Sequence, residues 1–190
     1  MIFVITHLNL FKNQKLSKMK KLILAFIVTF GVISLNAQST GPTMFSIGVE
    51  GSVPVGIFHT LGYNFGIGGS VQVEHKISSN TGLTLNIGYI TYSNNSTTPT
   101  YHFNVIPLMG GVKYWFSPKV YIHGQLGAAF NSVGYSGSNS ATSTGFAYSP
   151  GIGFLISNNL DLLIKYFGNS VSGGSFNSFG ARLALSFGGR

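Results

Sequence analysis

The sequence predicts an all-β fold: an eight-stranded antiparallel up-and-down transmembrane β-barrel, preceded by a signal-peptide helix. Three observations predict it: an N-terminal export signal, period-two alternation of apolar and polar residues, and a charged fraction of only 7% in 190 residues. Soluble globular domains usually carry about 25% charged residues, so an ordinary soluble surface is excluded. The chain has no cysteine, which excludes disulfide frameworks, thiolate metal sites and cysteine nucleophiles.

The N-terminal region is predicted to be an export signal over residues 1–37, with its core at 18–37. Lysines at positions 18, 20 and 21 precede an almost purely apolar run from Leu22 to Leu35, and Ala37 ends a small-residue cleavage site. The run is shorter than the roughly 20 residues of a membrane-spanning helix, and an uncleaved anchor is the alternative. Residues 1–18 fit the pattern poorly, and Met19 offers a better start. The second predicted domain, the outer-membrane β-barrel, is then residues 38–190.

The net charge of +8 does not indicate a nucleic-acid partner, because five of the eleven basic residues precede residue 22. Six basic and three acidic residues remain, a net charge of +3 spread thinly along the chain. We therefore expect outer-membrane lipid around the protein, and no nucleic acid.

The mature region divides into four hairpin-sized units. Three tight polar turns are centred on residues 79, 118 and 158, which are 39 and 40 residues apart. Between them, apolar positions alternate with polar ones, as at Phe45, Ile47 and Val49. Longer polar stretches are predicted as loops at the other end of the strands: 54–61, 93–101, 131–143 and 168–175. Short turns at one end and longer loops at the other are typical of an outer-membrane barrel; a secreted β-sandwich is the alternative.

Charged residues decide between these two folds. Six charges lie within predicted strands, all on the parity opposite the apolar positions: Glu50, Glu74, Lys113, Asp161, Lys165 and Arg182. A soluble sandwich would place charges on its solvated outer face. An apolar outer face instead meets lipid, where Arg or Lys costs about 2–4 kcal/mol at the midplane. Closure follows, because an open sheet edge would leave unpaired backbone groups in hydrocarbon.

Aromatic residues cluster near the predicted strand ends and suit two interfacial girdles. The girdle at the tight-turn end is predicted to contain Tyr114, Trp115, Phe116, Tyr121 and Phe154. The girdle toward the long loops is predicted to contain Tyr63, Tyr92, Tyr101, Phe103, Phe130, Phe146 and Tyr148.

Five segments resemble a known family. Residues 48–56, 106–116, 146–153 and 160–166 are similar to strands of small eight-stranded outer-membrane barrels of the OmpA-like and opacity-protein-like superfamily. Residues 180–187 resemble the last-strand signal that the barrel-assembly machinery reads, although three residues follow Phe187. The resemblance covers the mature chain, and it implies the fold, an outer-membrane location and that machinery as a partner during biogenesis.

A charge cluster is predicted in the lumen. In a closed barrel the first strand pairs with the last, so Glu50 and Arg182 should face each other across the seam as an ion pair, with Lys165 nearby. Ser46, Ser178 or a lumen water would supply a further acceptor. The alternative is that the charges are solvated independently in a watery channel. The other inward polar candidates are Glu74, Lys113, His123, Gln125 and Asp161.

Catalytic signals are few, and we expect no catalytic, cofactor or metal site. Three carboxylates leave little for acid–base or metal chemistry. His123 is the strongest candidate, as a base in a lipid-modifying barrel such as a lipid A deacylase. Such barrels place a serine beside the histidine on one strand face, whereas Tyr121 and Gln125 flank His123 here. The competing interpretation is a hydrogen-bonded lumen histidine.

Three function classes follow. We expect a non-enzymatic, monomeric barrel with a structural or interaction role and a lumen largely filled by side chains, since eight strands leave room for little else. A small channel or carrier for an apolar or small polar solute is the alternative, and inward glycines would leave space for it: Gly48, Gly66, Gly68 and Gly88. A lipid-modifying enzyme around His123 is the third. The sequence indicates no ligand.

Overall fold

The computed structural model describes residues 41–94, 101–135 and 141–188. These residues form a closed barrel of eight antiparallel strands in sequence order, which confirms the predicted fold. The strands are β1 Thr43–Val55, β2 Tyr63–Lys76, β3 Thr81–Asn94, β4 Tyr101–Trp115, β5 Val120–Tyr135, β6 Ala141–Leu155, β7 Leu160–Val171 and β8 Gly174–Gly188. A short helix, α1, spans Ile57–Thr60 between β1 and β2. The predicted export signal at 1–37 lies outside the described residues.

The seam between β1 and β8 closes the barrel. Met44 pairs with Gly188 at one end of this register and Val55 with Asn177 at the other. Each strand therefore has two hydrogen-bonded neighbours, as a sheet in hydrocarbon requires. In the described part of the chain, no helix is long and apolar enough to cross a membrane.

The period-two alternation separates an apolar outside from a polar inside. In β1, Ile47 and Val49 are 56% and 64% exposed, whereas Glu50 is 4% exposed. Neighbouring side chains of a strand point to opposite faces, so each strand repeats this division. The outer face is a belt of Val, Ile, Leu and Phe, and the charged side chains within the strands are buried on the inner face, while Lys76 at the end of β2 is half-buried.

The connections at the two ends of the barrel differ less in length than the sequence predicts. The tight turns at 77–80, 116–119 and 156–159 agree with the predicted turns, and the hydroxyls of Ser78 and Ser117 accept backbone hydrogen bonds within the first two. The predicted loop at 168–175 is wrong: β7 and β8 run through it and are joined by residues 172–173 alone. Serine and asparagine there continue the strand ladder beyond the apolar belt, because polar side chains are compatible with a solvated ladder.

Candidate functional site

The long-loop end of the lumen is closed by aromatic rings. Helix α1 carries Phe58 into the barrel, where its side chain is 1% exposed. Its ring centroid lies 4.8 Å from Tyr63, 4.9 Å from Tyr92, 5.1 Å from Phe103 and 5.3 Å from Phe176. These four rings form the aromatic cage, and Phe58 fills it. Tilted and edge-to-face contacts at such distances are favourable.

The predicted girdles are wrong at several positions. Tyr63, Tyr92 and Phe103 belong to the cage, whereas Trp115 and Tyr121 face the lumen near the tight turns, with ring centroids 4.5 Å apart. Other predicted girdle residues do point outward: Tyr114, Phe116, Phe130, Phe146, Tyr148 and Phe154. Proximity to a strand end did not distinguish the two faces, whereas strand parity does.

Below the cage lies a group of hydroxyls. Tyr92 extends its hydroxyl toward the barrel centre, where it accepts a hydrogen bond from Ser52 Oγ at 2.8 Å. Its oxygen also lies 3.2 Å from Ser178 Oγ. Ser178, one of the acceptors proposed for the charge cluster, is therefore engaged with Tyr92. The three groups satisfy one another in a buried setting, where an unpaired polar group is costly.

The central charge cluster consists of Glu50, Lys165 and Arg182, contributed by β1, β7 and β8. Glu50 lies opposite Arg182 in the seam register. The shortest ion pair joins Glu50 Oε2 to Lys165 Nζ at 2.6 Å, while Arg182 Nε lies 3.8 Å from Glu50 Oε1. Glu50 and Arg182 thus face each other as an ion pair, as predicted, but Lys165 holds the carboxylate more closely than Arg182 does. Arg182 also donates to Ser70 Oγ at 2.7 Å and to Ser46 Oγ at 3.1 Å.

The turn-side charge cluster consists of Glu74, Lys113 and Asp161. Lys113 Nζ lies 2.6 Å from Glu74 Oε2 and 4.0 Å from Asp161 Oδ2. The same ammonium lies 4.3 Å from the ring centroid of Tyr121, within cation–π range. All six charged side chains of the two clusters are at most 5% exposed. Three cations and three carboxylates therefore balance inside the barrel.

His123 and Gln125 lie on the lumen face of β5. His123 Nε2 is 2.9 Å from Thr84 Oγ1, and both side chains are buried. Gln125 Nε2 and Asp161 Oδ1 have no hydrogen-bond partner within the described ranges. Among the described residues, no group of three His, Asp or Glu side chains is placed to hold a metal ion.

The inward glycines do not leave open space. A Cβ at Gly66 would overlap the ring of Tyr92, and one at Gly48 would lie 3.0 Å from Arg182 Nε. Gly153 accommodates the Tyr121 ring in the same way. The large lumen side chains thus lie against glycines of neighbouring strands. Sequence reasoning missed this arrangement, because the pairing register needed to match a ring to its glycine is not visible in one strand.

Two depressions of the described surface lie outside the charged layers. One, of about 390 Å³, lies at the tight-turn mouth and is lined by Met44, Lys76, Trp115 and turn residues. The other is a shallow groove on the outer face beside Gly69, between Val49 and Tyr89, where lipid chains would lie.

Comparison with models of protein families shows which family this chain belongs to. The model described as outer membrane protein beta-barrel domain matches residues 22–187. The chain belongs to this family. An outer-membrane location follows for the barrel domain, in agreement with its apolar belt. No curated protein sequence matches the chain.

Solved structures of other outer-membrane proteins have the same fold. The attachment invasion locus protein Ail of Yersinia pestis, solved with the heparin analogue sucrose octasulfate, has a TM-score of 0.60 at 17% identity, covering 78% of this chain and all of Ail. The N-terminal β-barrel domain of Pseudomonas aeruginosa OprF has a TM-score of 0.56 at 15% identity, covering 78% of this chain and 100% of that domain. At such identities the likeness concerns the fold alone.

Proposed function

We propose that this family member is a non-enzymatic outer-membrane barrel with a structural or interaction role, and that its filled lumen forms no continuous pore. The observation that supports the proposal is the sequence of layers across the lumen. Phe58 in its cage is followed by the Tyr92 hydroxyl group and then by the two charge clusters, whose six buried charges pair with one another. Ions would have to break these pairs to pass, which is costly inside a protein.

The channel alternative has less support. It depended on free space beside the inward glycines, yet Tyr92 and Arg182 lie against Gly66 and Gly48. The lumen would widen only if Tyr92 and Arg182 were replaced by smaller residues.

The enzyme alternative also has less support. His123 does contact a hydroxyl, that of Thr84. Both side chains are buried inside the lumen, however, with Thr84 6% and His123 2% exposed. A lipid substrate would contact the outer face, which carries apolar side chains. An exposed nucleophile beside the histidine is the feature that this interpretation requires.

The biogenesis we propose follows from the two chain regions. The export signal is cleaved after Ala37, and the barrel-assembly machinery inserts the mature chain as a monomer into outer-membrane lipid. The final strand supports this step, since Phe179, Leu183 and Phe187 present an apolar face to the bilayer.

Planar-bilayer recording tests the filled lumen. The purified mature chain should give no discrete conductance steps, whereas a porin inserted into the same bilayer gives them. A triple variant, Glu50→Ser with Lys165→Ser and Arg182→Ser, should also stay closed, because the aromatic cage and the turn-side charge cluster still fill the lumen above and below the removed charges. Steady conductance of the unmodified chain would contradict the proposal.

Analysis of lipids from cells with and without the protein tests the enzyme alternative, and we expect no change in the acyl chains of these lipids.

A further inference from the structure

The cage around Phe58 has the properties of a binding site that the chain itself occupies. Four aromatic rings surround one phenyl group at 4.8–5.3 Å between centroids. The occupant comes from a short link between β1 and β2, at the end of the barrel that faces the cell exterior in outer-membrane barrels. Its ring is therefore held where an external ligand would arrive.

The segment that carries Phe58 is a compact unit between two strands. Its backbone hydrogen bonds are largely internal, from Thr60 N to Gly56 O, Leu61 N to Ile57 O and Gly62 N to His59 O. Its other side chains project away from the cage: Ile57 is 69% and Leu61 54% exposed. A hydrogen bond from Asn94 Nδ2 to Leu61 O, at 2.7 Å, joins it to the barrel wall. Phe58 is thus its main buried anchor.

Glycines in the left-handed half of backbone space lie at both ends of this segment. Gly56 has φ 64° and ψ −139°, and Gly62 has φ 88°. L-residues with a Cβ rarely adopt such conformations. A Cβ at Gly56 would meet no atom within 4 Å. The glycine there therefore serves the backbone conformation that docks Phe58, and not close packing.

We propose that the aromatic cage binds a benzyl group of an external ligand, such as a phenylalanine side chain of a peptide, when the segment from Gly56 to Gly62 swings Phe58 out. The ligand class follows from the occupant, because a cage that fits the phenyl ring of Phe58 fits the same ring on another molecule. Phe58 is then an internal competitor, and apparent affinity depends on how often it leaves the cage.

The site goes beyond the proposed function and does not depend on it. The cage lies above the hydroxyl group and both charge clusters, so exchange of one phenyl ring for another leaves the lumen closed. Conductance and ligand binding consequently report on different layers of the barrel, and the failure of one proposal does not imply the failure of the other.

Ligand binding to the mature barrel in lipid nanodiscs tests the proposal. The probe is N-acetyl-4-fluorophenylalanine amide, followed by ¹⁹F NMR, with N-acetyl-alanine amide as the competitor that lacks a ring. Phe58→Ala removes the internal competitor and should tighten saturable binding at least tenfold over the unmodified chain. The alanine amide should not displace the probe. Absence of saturable binding to both proteins would overturn the site.

A glycine pair tests the movement without altering the cage. Gly56→Ala strains the docked backbone, which favours release of Phe58, and should tighten probe binding several-fold, up to about tenfold. Gly173→Ala is the matched control, since Gly173 also has a positive φ, 97°, and open space around its Cβ but lies between β7 and β8. It should leave affinity unchanged. Equal affinities for the Gly56→Ala variant and the unmodified chain would overturn the displaceable plug, whatever the Phe58→Ala variant binds.

Discussion

Breaking the central charge cluster should destabilise the barrel in an order set by its distances. At an effective dielectric constant of 20, unit charges at the 2.6 Å of Lys165–Glu50 attract by about 6 kcal/mol, and at the 3.8 Å of Arg182–Glu50 by about 4 kcal/mol. Desolvation offsets much of this gross attraction. The measurable quantity is the cost of leaving a buried partner unpaired, about 3–5 kcal/mol.

Glu50→Gln should therefore cost the most, about 3–5 kcal/mol in the free energy of unfolding, because it leaves two buried cations without their carboxylate. Lys165→Met should cost somewhat less, since Arg182 still faces Glu50. Arg182→Met should cost least, about 1–3 kcal/mol, because Lys165 keeps the carboxylate paired while Ser70 and Ser46 lose charged donors.

Urea unfolding of the refolded barrel, followed by heat-modifiable gel mobility and tryptophan fluorescence, measures these differences. A double-mutant cycle on Glu50→Gln and Lys165→Met should show a larger coupling free energy than one on Glu50→Gln and Arg182→Met. Lys119→Met, at an exposed turn position, is the control and should change stability by less than about 0.5 kcal/mol. Coupling near zero in both cycles would refute the reasoning, because it would mean that water solvates the three charges independently.

Three further outcomes follow from the same structure. Gly153→Ala should destabilise the barrel by about 1–3 kcal/mol in urea unfolding, because the new Cβ displaces the Tyr121 ring. Gly124→Ala is the control and should be nearly neutral, since no atom lies within 4 Å of its new Cβ. Equal effects of the two substitutions would contradict the packing argument. Val49→Lys places a charge on the lipid face and should lower the free energy of unfolding in bilayers by about 2–4 kcal/mol. An unchanged free energy would contradict the placement of this face of β1 against lipid. N-terminal sequencing of the exported protein should begin at Gln38 or a neighbour; a product that retains residues 1–18 would contradict the predicted cleavage and start.

Much of the fold could be predicted because one physical constraint acts on every strand. Lipid outside and a narrow lumen inside require alternation, and a charge such as Glu50 marks the inner parity of its whole strand. The seam register followed from the same logic, since Glu50 and Arg182 lie near the middle of the first and last strands. What alternation does not specify is where a strand ends, so the polar residues that join β7 to β8 in sequence resemble a loop although they extend both strands.

The aromatic interior was less predictable, although part of the signal was present. Tyr92 and Tyr121 lie on the inward parity of their strands, and parity alone would have placed them in the lumen. Phe58 is different: it lies in a link between strands, where no periodicity assigns a face. Its burial depends on the three-dimensional meeting of rings from four separate segments. The closer approach of Lys165 than of Arg182 to Glu50 likewise depends on side-chain reach across the barrel.

The closure of β1 against β8 also dictates an order of events in time. Glu50 belongs to the first strand of the barrel, and its cationic partners arrive with β7 and β8, more than a hundred residues later in the chain. Contacts so distant in sequence form slowly. Through most of insertion the carboxylate must keep its hydration, and the nascent sheet must stay open to water. Expulsion of that water and neutralisation of Glu50 thus belong to the last step, when the final hairpin docks on the first strand.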